Sequence, residues 1–312
     1  MLFSILIPVF NVEIYLPKCL SSITQQTCID FEVIIIDDGS KDKSLEICKN
    51  FAFNDKRFKI FHQENLGLVT TRNKLLSLSH GDWIVFIDSD DYIKEHYLST
   101  FESAIKKNPK ADAIICDYIR WEKNDVFKTV QAPFYSKQDY LKQLLGWRIT
   151  NTALWAKAIK RTLIENTSQR FEEGIVLGED LCFISRLFYF AKEIVYVPDA
   201  LYIWNKTNGN SITALGLYTN NYIQLYETIV KFYSEQKDYE NYKATLSNTI
   251  VRLMNLLFLY DKTKDFGSLP LSIDDAELLP LNRLRLKLIN GGHFRMLSLL
   301  EKIERNVKKY LG

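Results

Sequence analysis

Trp83-Ile84-Val85-Phe86-Ile87 runs without a break into Asp88-Ser89-Asp90-Asp91, and few folds accommodate residues in that order. A short continuous apolar stretch has no polar face to offer water. It therefore reads as a strand buried on both sides, inside a parallel sheet. Acids directly behind such a strand fall at its carboxyl end, where open α/β sheets bind ligands. Along extended backbone Asp88 and Asp90 project to one side and Ser89 to the other. Two carboxylates so placed are hard oxygen ligands for Mg²⁺ or Mn²⁺, and such a cation can hold a diphosphate. The same residues also suit an ordinary acidic turn, and the segment alone leaves the two readings even.

The same arrangement recurs along the first 125 or so residues, where strand and helix patterns alternate as in βαβ units. Strands are expected over Phe3–Val9, Phe31–Ile36, Phe58–His62 and Ala113–Tyr118, with helices over Glu13–Gln26, through Leu45, Ile47 and Phe51, over Val69–Leu78 and over Tyr97–Lys107. Ser40 has the residue type and position to cap the second helix. In a doubly wound sheet these strands run mostly parallel, so their tips collect along one edge. Asn11, Asp37, Asp38, Asn65, Asp88 and Asp90 all follow such tips, which makes them a coherent polar site.

Other function classes are excluded by composition. A net charge of +2 on 312 residues gives no electrostatic case for nucleic acid as a partner. The five cysteines are odd in number and contain no C-x-x-C pair, which argues against a disulfide framework and suits a reducing cytosol. The apolar N-terminus lacks a basic lead and meets Pro8, so it reads as a strand and not a signal peptide. The stretch Ile250–Tyr260 is too short for a membrane span and carries Arg252 and Asn255.

Beyond residue 130 the pattern loosens. Gly174-Ile175-Val176-Leu177-Gly178-Glu179-Asp180 leads into a helical pattern, Ile194–Tyr202 is strand-like, and the turn-rich Asn205–Ser211 has the character of a lid. From about Leu217 the chain is helical, with a break near Gly267–Pro280. Between Asn282 and Gly312, Arg283, Arg285, Lys287, Arg295, Lys302, Arg305, Lys308 and Lys309 alternate with leucines and isoleucine. Such a basic amphipathic segment can lie on the inner face of an anionic membrane, or pack its apolar side inward and leave a solvated basic face. The sequence leaves both open, and leaves oligomerisation open as well.

Taken in order, these motifs resemble family 2 glycosyltransferases of the GT-A fold, the group that builds bacterial surface polysaccharides. The likeness rests on Ser4–Asn11 with Glu13, on Phe31–Ser40, and on Asn65-x-Gly67 with Arg72-Asn73. Phe86–Asp91 and Gly178-Glu179-Asp180 complete it. It covers about residues 1–213, which implies a GT-A catalytic domain there and a helical C-terminal region over 214–312. By position, the resemblance implies that Phe10 and Glu13 line the nucleotide pocket and that Asp38 accepts a hydrogen bond from the base, as expected for uracil. Asn65 and Arg72 fall beside the nucleotide and its phosphates. Asp88 and Ser89 contact the nucleotide, Asp90 with Asp88 ligates a divalent cation, and Asp180 is the general base of an inverting transfer. Glu179 and Trp155 fall on the acceptor side. The implied partners are a nucleoside diphosphate sugar, with UDP favoured, and a saccharide or lipid-linked acceptor, met in the cytoplasm.

Local alternatives accompany several of these roles. Asp37 can cap the helix after the second strand, Glu179-Asp180 can be a capping pair, and Trp155 can be a core tryptophan. Lys206 is the only cation of the 205–211 segment, where the family often carries His or Arg. Two other functions remain as rivals. A nucleotidyltransferase is disfavoured because Pro8–Glu13 holds neither glycine nor cation to grip a triphosphate. A non-catalytic sugar-nucleotide-binding module is disfavoured by the acids Asp88, Asp90 and Asp180.

Overall fold

The computed structural model describes residues 1–122, 126–129, 134, 136–146, 152–208, 221–260, 278–290 and 292–311. The chain divides into two compact units. One comprises Met1–Leu144 and Arg148–Leu217, the other Leu145–Trp147 and Tyr218–Gly312.

The first unit is built on one sheet. Its strands are β1 (Phe3–Val9), β2 (Phe31–Asp37), β3 (Phe58–His62), β4 (Trp83–Phe86), β5 (Tyr92–Ile93), β6 (Ala113–Trp121), β7 (Val126–Thr129), β8 (Lys157–Lys160) and β9 (Ile194–Asn205). They lie in the order β3-β2-β1-β4-β8-β6-β9-β5, with β7 paired to β6. The β1–β2, β1–β4, β2–β3 and β6–β9 pairs are parallel, and β8 sits antiparallel between β4 and β6. Thus β1, β2, β3, β4, β6 and β9 point one way, which is the mostly parallel α/β sheet expected.

Helices α1 (Leu16–Thr24), α2 (Ser44–Asn54), α3 (Leu68–Leu78), α4 (Tyr97–Lys107), α5 (Lys137–Leu145), α6 (Arg161–Thr167) and α7 (Glu179–Tyr189) connect and cover the strands. Alternation along the strands explains the two apolar layers. Ile5, Ile7, Val33, Ile35, Val85 and Ile87 join one core with Leu16, Leu20 and Ile23 of α1 and Leu98 and Phe101 of α4. Their neighbours Leu6, Ile34, Ile36, Ile84 and Phe86 are buried as well, so the central strands have no wet face. Each such side chain contributes about 1.5–3 kcal/mol by leaving water.

Ser40 does not cap α2. Lys43 holds the N-cap position without a side-chain bond. Asp42 Oδ1 accepts from the Ser44 amide at 2.9 Å and Glu13 Oε2 accepts from the Lys43 amide at 2.8 Å. Acids reached the exposed N–H groups first, as the positive end of a helix favours. The Ser40 hydroxyl instead accepts from the Asn11 amide.

The second unit consists of α8 (Asn221–Ser234), α9 (Glu240–Tyr260), α10 (Pro280–Asn290) and α11 (Phe294–Leu311). Arg285 is buried here and does not belong to a solvated basic face. Its guanidinium donates to Asn282 Oδ1 at 2.7 Å and to Glu301 Oε1 at 3.1 Å, and Asn255 Nδ2 donates to the same Glu301 oxygen. That network fixes which side of α11 faces inward. Among the described residues no helix is long and apolar enough to cross a membrane.

Candidate active site

The strand tips of β1, β2 and β4 deliver Asn11, Asp37–Asp38 and Asp88–Asp91 to one edge of the sheet. Asp88 and Asp90 are not presented by extended backbone, however. The strand ends at Phe86, and the Asp91 amide donates to the Asp88 carbonyl at 3.0 Å, closing a turn around Ser89 and Asp90. Turn geometry, and not strand alternation, therefore aims these carboxylates. Ser89 is buried within it.

Tyr202, which carried no signal in the sequence, and two asparagines of the turn-rich 205–211 segment brace this turn. The Tyr202 hydroxyl donates to Asp91 Oδ2 at 2.6 Å and accepts from the Asp88 amide at 3.2 Å. The Asn205 amide donates to Asp91 Oδ1 at 2.7 Å, and its side chain donates to the Asp90 carbonyl. Asn208 Nδ2 donates to Asp90 Oδ2 at 2.8 Å. Asp91 is thus the buried foundation of the turn, and β9 with its exit supplies the bracing. Of the expected lid, Asn205–Asn208 lie on the site, and Gly209–Ser211 fall outside the described residues. The Lys206 ammonium lies over the Trp204 ring, 4.5 Å from its centroid.

Arg72 reaches the acidic turn after β4 and the acid pair of α7 together. Only 3% exposed, it joins acids from two distant segments. Nη1 donates to Glu179 Oε1 at 2.8 Å and to Asp180 Oδ1 at 2.5 Å, while Nη2 donates to Asp88 Oδ1 at 3.2 Å. Asp180 sits in the first turn of α7, after Gly178, whose φ of +80° suits glycine. Its second oxygen accepts from the Leu154 amide at 3.0 Å. One guanidinium therefore sets the distance between the acidic turn after β4 and the acid pair of α7. Neither acid of that pair serves merely as a helix cap.

The electrostatics follow from burial and from shared charge. Burial works against the Arg72 charge, but Asp180, Glu179 and Asp88 outweigh it and keep the guanidinium protonated beyond its ordinary range. Burial lifts the Asp88 carboxyl to about 6, with Arg72 opposing and Asp90 and Asp180 adding. Burial and then Asp180 lift Glu179 to about 7, since Arg72 is divided among several acids and cannot compensate each. Asp90 is raised by burial despite the bond from Asn208. Asp91 is raised further, by burial and by Asp90 and Asp88. This surplus of negative charge at hard oxygen donors is the environment a divalent cation fits. Among the described residues no group of three metal-binding side chains converges, so a cation at Asp90 and Asp88 would draw its other ligands from phosphate and water.

The remaining expected residues divide between pocket and framework. Phe10 stands 46% exposed after β1. Glu13 and Asn11 tie the β1–α1 loop to the start of α2 through the Lys43 and Lys41 amides. Asp37 does not cap α2. Its Oδ2 meets His62 Nδ1 at 2.7 Å. Asp38 spends its carboxylate on the protein, accepting from Gln63 Nε2 and the Leu66 and Gly67 amides at 2.8–2.9 Å. It builds the loop that carries the exposed Asn65. Trp155 is 6% exposed and stacks on Tyr202 at 4.6 Å, so it is a core residue behind the site and not an acceptor contact.

A family model described as glycosyl transferase family 2 matches residues 4–167. EpsH of Bacillus subtilis (strain 168), described as a glycosyltransferase, is 32% identical over 275 residues, covering 85% of this chain and 78% of EpsH. The chain belongs to glycosyl transferase family 2. The segment matched by the family model ends before Glu179-Asp180, so that pair rests on geometry. Among solved structures, S. aureus TarS 1–349 in complex with UDP-GlcNAc has a TM-score of 0.77 at 19% identity, covering 98% of this chain and 92% of that one. The mannosyltransferase PcManGT from Pyrobaculum calidifontis, in complex with GDP-Man and Mn²⁺, has a TM-score of 0.50 at 14% identity, covering 96% of this chain and 86% of that one. At these identities the likeness is one of fold, and the sheet flanked by helices is the GT-A arrangement.

Proposed function

We propose that this glycosyltransferase moves a sugar, with inversion, from a UDP sugar to a hydroxyl of a saccharide or lipid-linked acceptor during cytoplasmic synthesis of a surface polysaccharide. The observation that carries the reading is the Arg72 clamp, which holds Asp180 and Asp88 on one buried guanidinium. Inversion needs a base on one side of the anomeric carbon and charge stabilisation of a leaving diphosphate on the other. Asp180 is anchored for the first task, and the turn at Asp88–Asp90 is braced for the second. The acceptor hydroxyl approaches Asp180, gives it a proton, and its oxygen bonds to the anomeric carbon as the diphosphate departs with the bonding pair. A divalent cation on Asp90 and Asp88 would supply Lewis-acid neutralisation of that diphosphate. The choice of uridine draws on TarS, seen with UDP-GlcNAc, and the choice of Mn²⁺ on PcManGT; Asp38 adds little to the first.

Calorimetric titration of UDP, GDP, dTDP and CDP, with and without Mn²⁺, tests this reading on wild type and Asp90→Ala. Metal-dependent binding of UDP, lost in the variant, is the expected result. Binding of none of them with metal present would defeat it.

Helix α11 supports a lipid-facing role for the second unit. Met296, Leu299 and Ile303 are 57%, 59% and 51% exposed at helical spacing, while Leu297 is fully buried. Arg295 and Lys302 flank that outward stripe with no exposed acid beside them among the described side chains. An apolar stripe bordered by cations complements an anionic bilayer. Wild type should sediment with phosphatidylglycerol vesicles but not phosphatidylcholine, and Leu299→Glu with Ile303→Glu should abolish this. Sedimentation unchanged by the double substitution would refute the assignment.

A further inference from the structure

Lys157, the first residue of β8, has no exposed surface. An ammonium is compact and strongly hydrated, so burying it is costly, and an apolar side chain of similar volume would avoid the cost. Burial pulls its pKa down to about 7, against the raising effect of Asp180 and Cys116, the titratable groups that face it. Among the described residues its N–H donors find only backbone carbonyls, Ala153 at 2.5 Å and Trp155 at 3.4 Å. The reason for a cation here appears one peptide further on. The Ala153 carbonyl belongs to the same peptide unit as the Leu154 N–H, and that N–H donates to Asp180 Oδ2 at 3.0 Å.

One planar peptide therefore stands between ammonium and carboxylate, its oxygen turned to Lys157 and its N–H to Asp180. The peptide is stiff about its C–N bond, and hydrogen bonds at its two ends polarise one another in the same sense. Among the described residues Asp180 has one other hydrogen-bond partner, Arg72, which also serves Glu179 and Asp88. Leu154 is the contact given to Asp180 alone. The backbone beside this peptide is also unusual, because Ala156, between Trp155 and Lys157, has φ +59°. A residue with a Cβ populates that region sparsely and keeps it only where its surroundings hold it there.

We propose that Lys157 is a positioning residue for the transfer step, holding the Ala153–Leu154 peptide so that Asp180 is aimed at the acceptor hydroxyl. The inference rests on Asp180 as the base. It predicts that Lys157 matters for turnover through Asp180 and not for donor binding.

The test measures UDP release from UDP-N-acetylglucosamine, with water as acceptor, together with calorimetric binding of UDP. It uses wild type, Lys157→Met, Lys157→Arg, Asp180→Asn and the Lys157→Met/Asp180→Asn double variant. UDP affinity and KM should stay within twofold in Lys157→Met while kcat falls at least tenfold, and Lys157→Arg should recover part of that loss. The double variant should be no slower than Asp180→Asn alone, because groups acting as one unit are not additive. A Lys157→Met kcat within twofold of wild type, or additive losses in the double variant, overturns the inference and leaves the base assignment standing. Full turnover in Asp180→Asn defeats the base assignment and this inference with it. Should Lys157→Met not bind UDP, Lys157→Gln replaces it, and full activity there refutes the proposal equally.

Discussion

Replacing Arg72 by methionine would leave Asp88, Glu179 and Asp180 facing one another without their shared cation. Removing one partner of a buried ion pair costs about 3–5 kcal/mol, because the remaining charge lies uncompensated where water cannot reach it. That range applies here. Arg72, Glu179 and Asp180 side chains are only 3%, 11% and 17% exposed, whereas Asp88, at 33%, can recover part of its hydration. The stranded acids can escape by taking up a proton. Glu179 is nearest to doing so, since burial and Asp180 already hold it at about 7 with Arg72 in place.

Without Arg72 the Glu179 pKa climbs further, so the native variant binds a proton near pH 8 that native wild type does not. The unfolded chain binds none there, its glutamates titrating near 4.3. The variant therefore gains stability as pH falls from 8, by about 1.4 kcal/mol per unit for each extra proton. Below about 7 wild type gains in the same way through Glu179, and any further narrowing comes from Asp88, which Arg72 no longer holds down in the variant. Urea unfolding in EDTA should show a loss of about 3–5 kcal/mol at pH 8 and about 1–2 kcal/mol less at pH 6.5. A loss below about 1 kcal/mol, or an equal loss at both pH values, would show that the clamp does not bear on the fold as argued.

Glu179→Gln should separate from wild type in the opposite sense. A native pKa of about 7 against roughly 4.3 unfolded means that wild-type stability is present at low pH and lost as pH rises through 7. Glutamine cannot ionise, so relative to wild type the variant should gain about 2 kcal/mol between pH 5.5 and 8.5, and parallel denaturation curves would contradict this. Gly39→Ala should disturb the nucleotide end of the site. Gly39 has φ +79° and an added Cβ would lie 2.8 Å from the Asn65 amide nitrogen, so UDP affinity should fall about tenfold and stability by about 1–3 kcal/mol. Gly81→Ala is the contrasting case, because its Cβ would meet Phe3 and Ser4 backbone at 2.5 Å, away from the strand tips. Thermal stability should drop there while UDP affinity in the surviving folded protein is unchanged. Equal losses of affinity in both variants would remove the distinction.

Much of the first unit was legible before any coordinates. Continuous apolar runs such as Val33–Ile36 and Trp83–Ile87 must be buried on both faces, and alternating strand and helix patterns leave one sheet as the way to bury them. With the strand directions settled, chain order alone brings Asn11, Asp38 and Asp88 to a common edge. Local chemistry was less decisive. Ser40 and Asp37 have capping residue types, yet Asp42 from the adjoining loop and Glu13 from the β1–α1 loop took the α2 amides, because packing turns Asp37 to His62 and Ser40 to the Asn11 amide. Trp155 could face acceptor or core, and the stacking surface of Tyr202 decided for the core.

The identity of the site's residues belongs to the sequence; their division of labour belongs to the tertiary structure. Residue type and spacing established that acids gather at the strand exits and that Gly178-Glu179-Asp180 opens a helix, since those depend on neighbours within a few positions. Nothing local indicates that Arg72 reaches across to Glu179 and Asp180, 107 and 108 residues away, or that Tyr202 and Asn205 brace Asp91 from 111 and 114 residues away. Lys157 shows the same limit most plainly. In sequence it is one more lysine, and only its burial reveals that a charge is held within one peptide of Asp180. Pairing a buried charge requires a partner in space, and the folded chain supplies that partner from wherever its packing happens to bring one near.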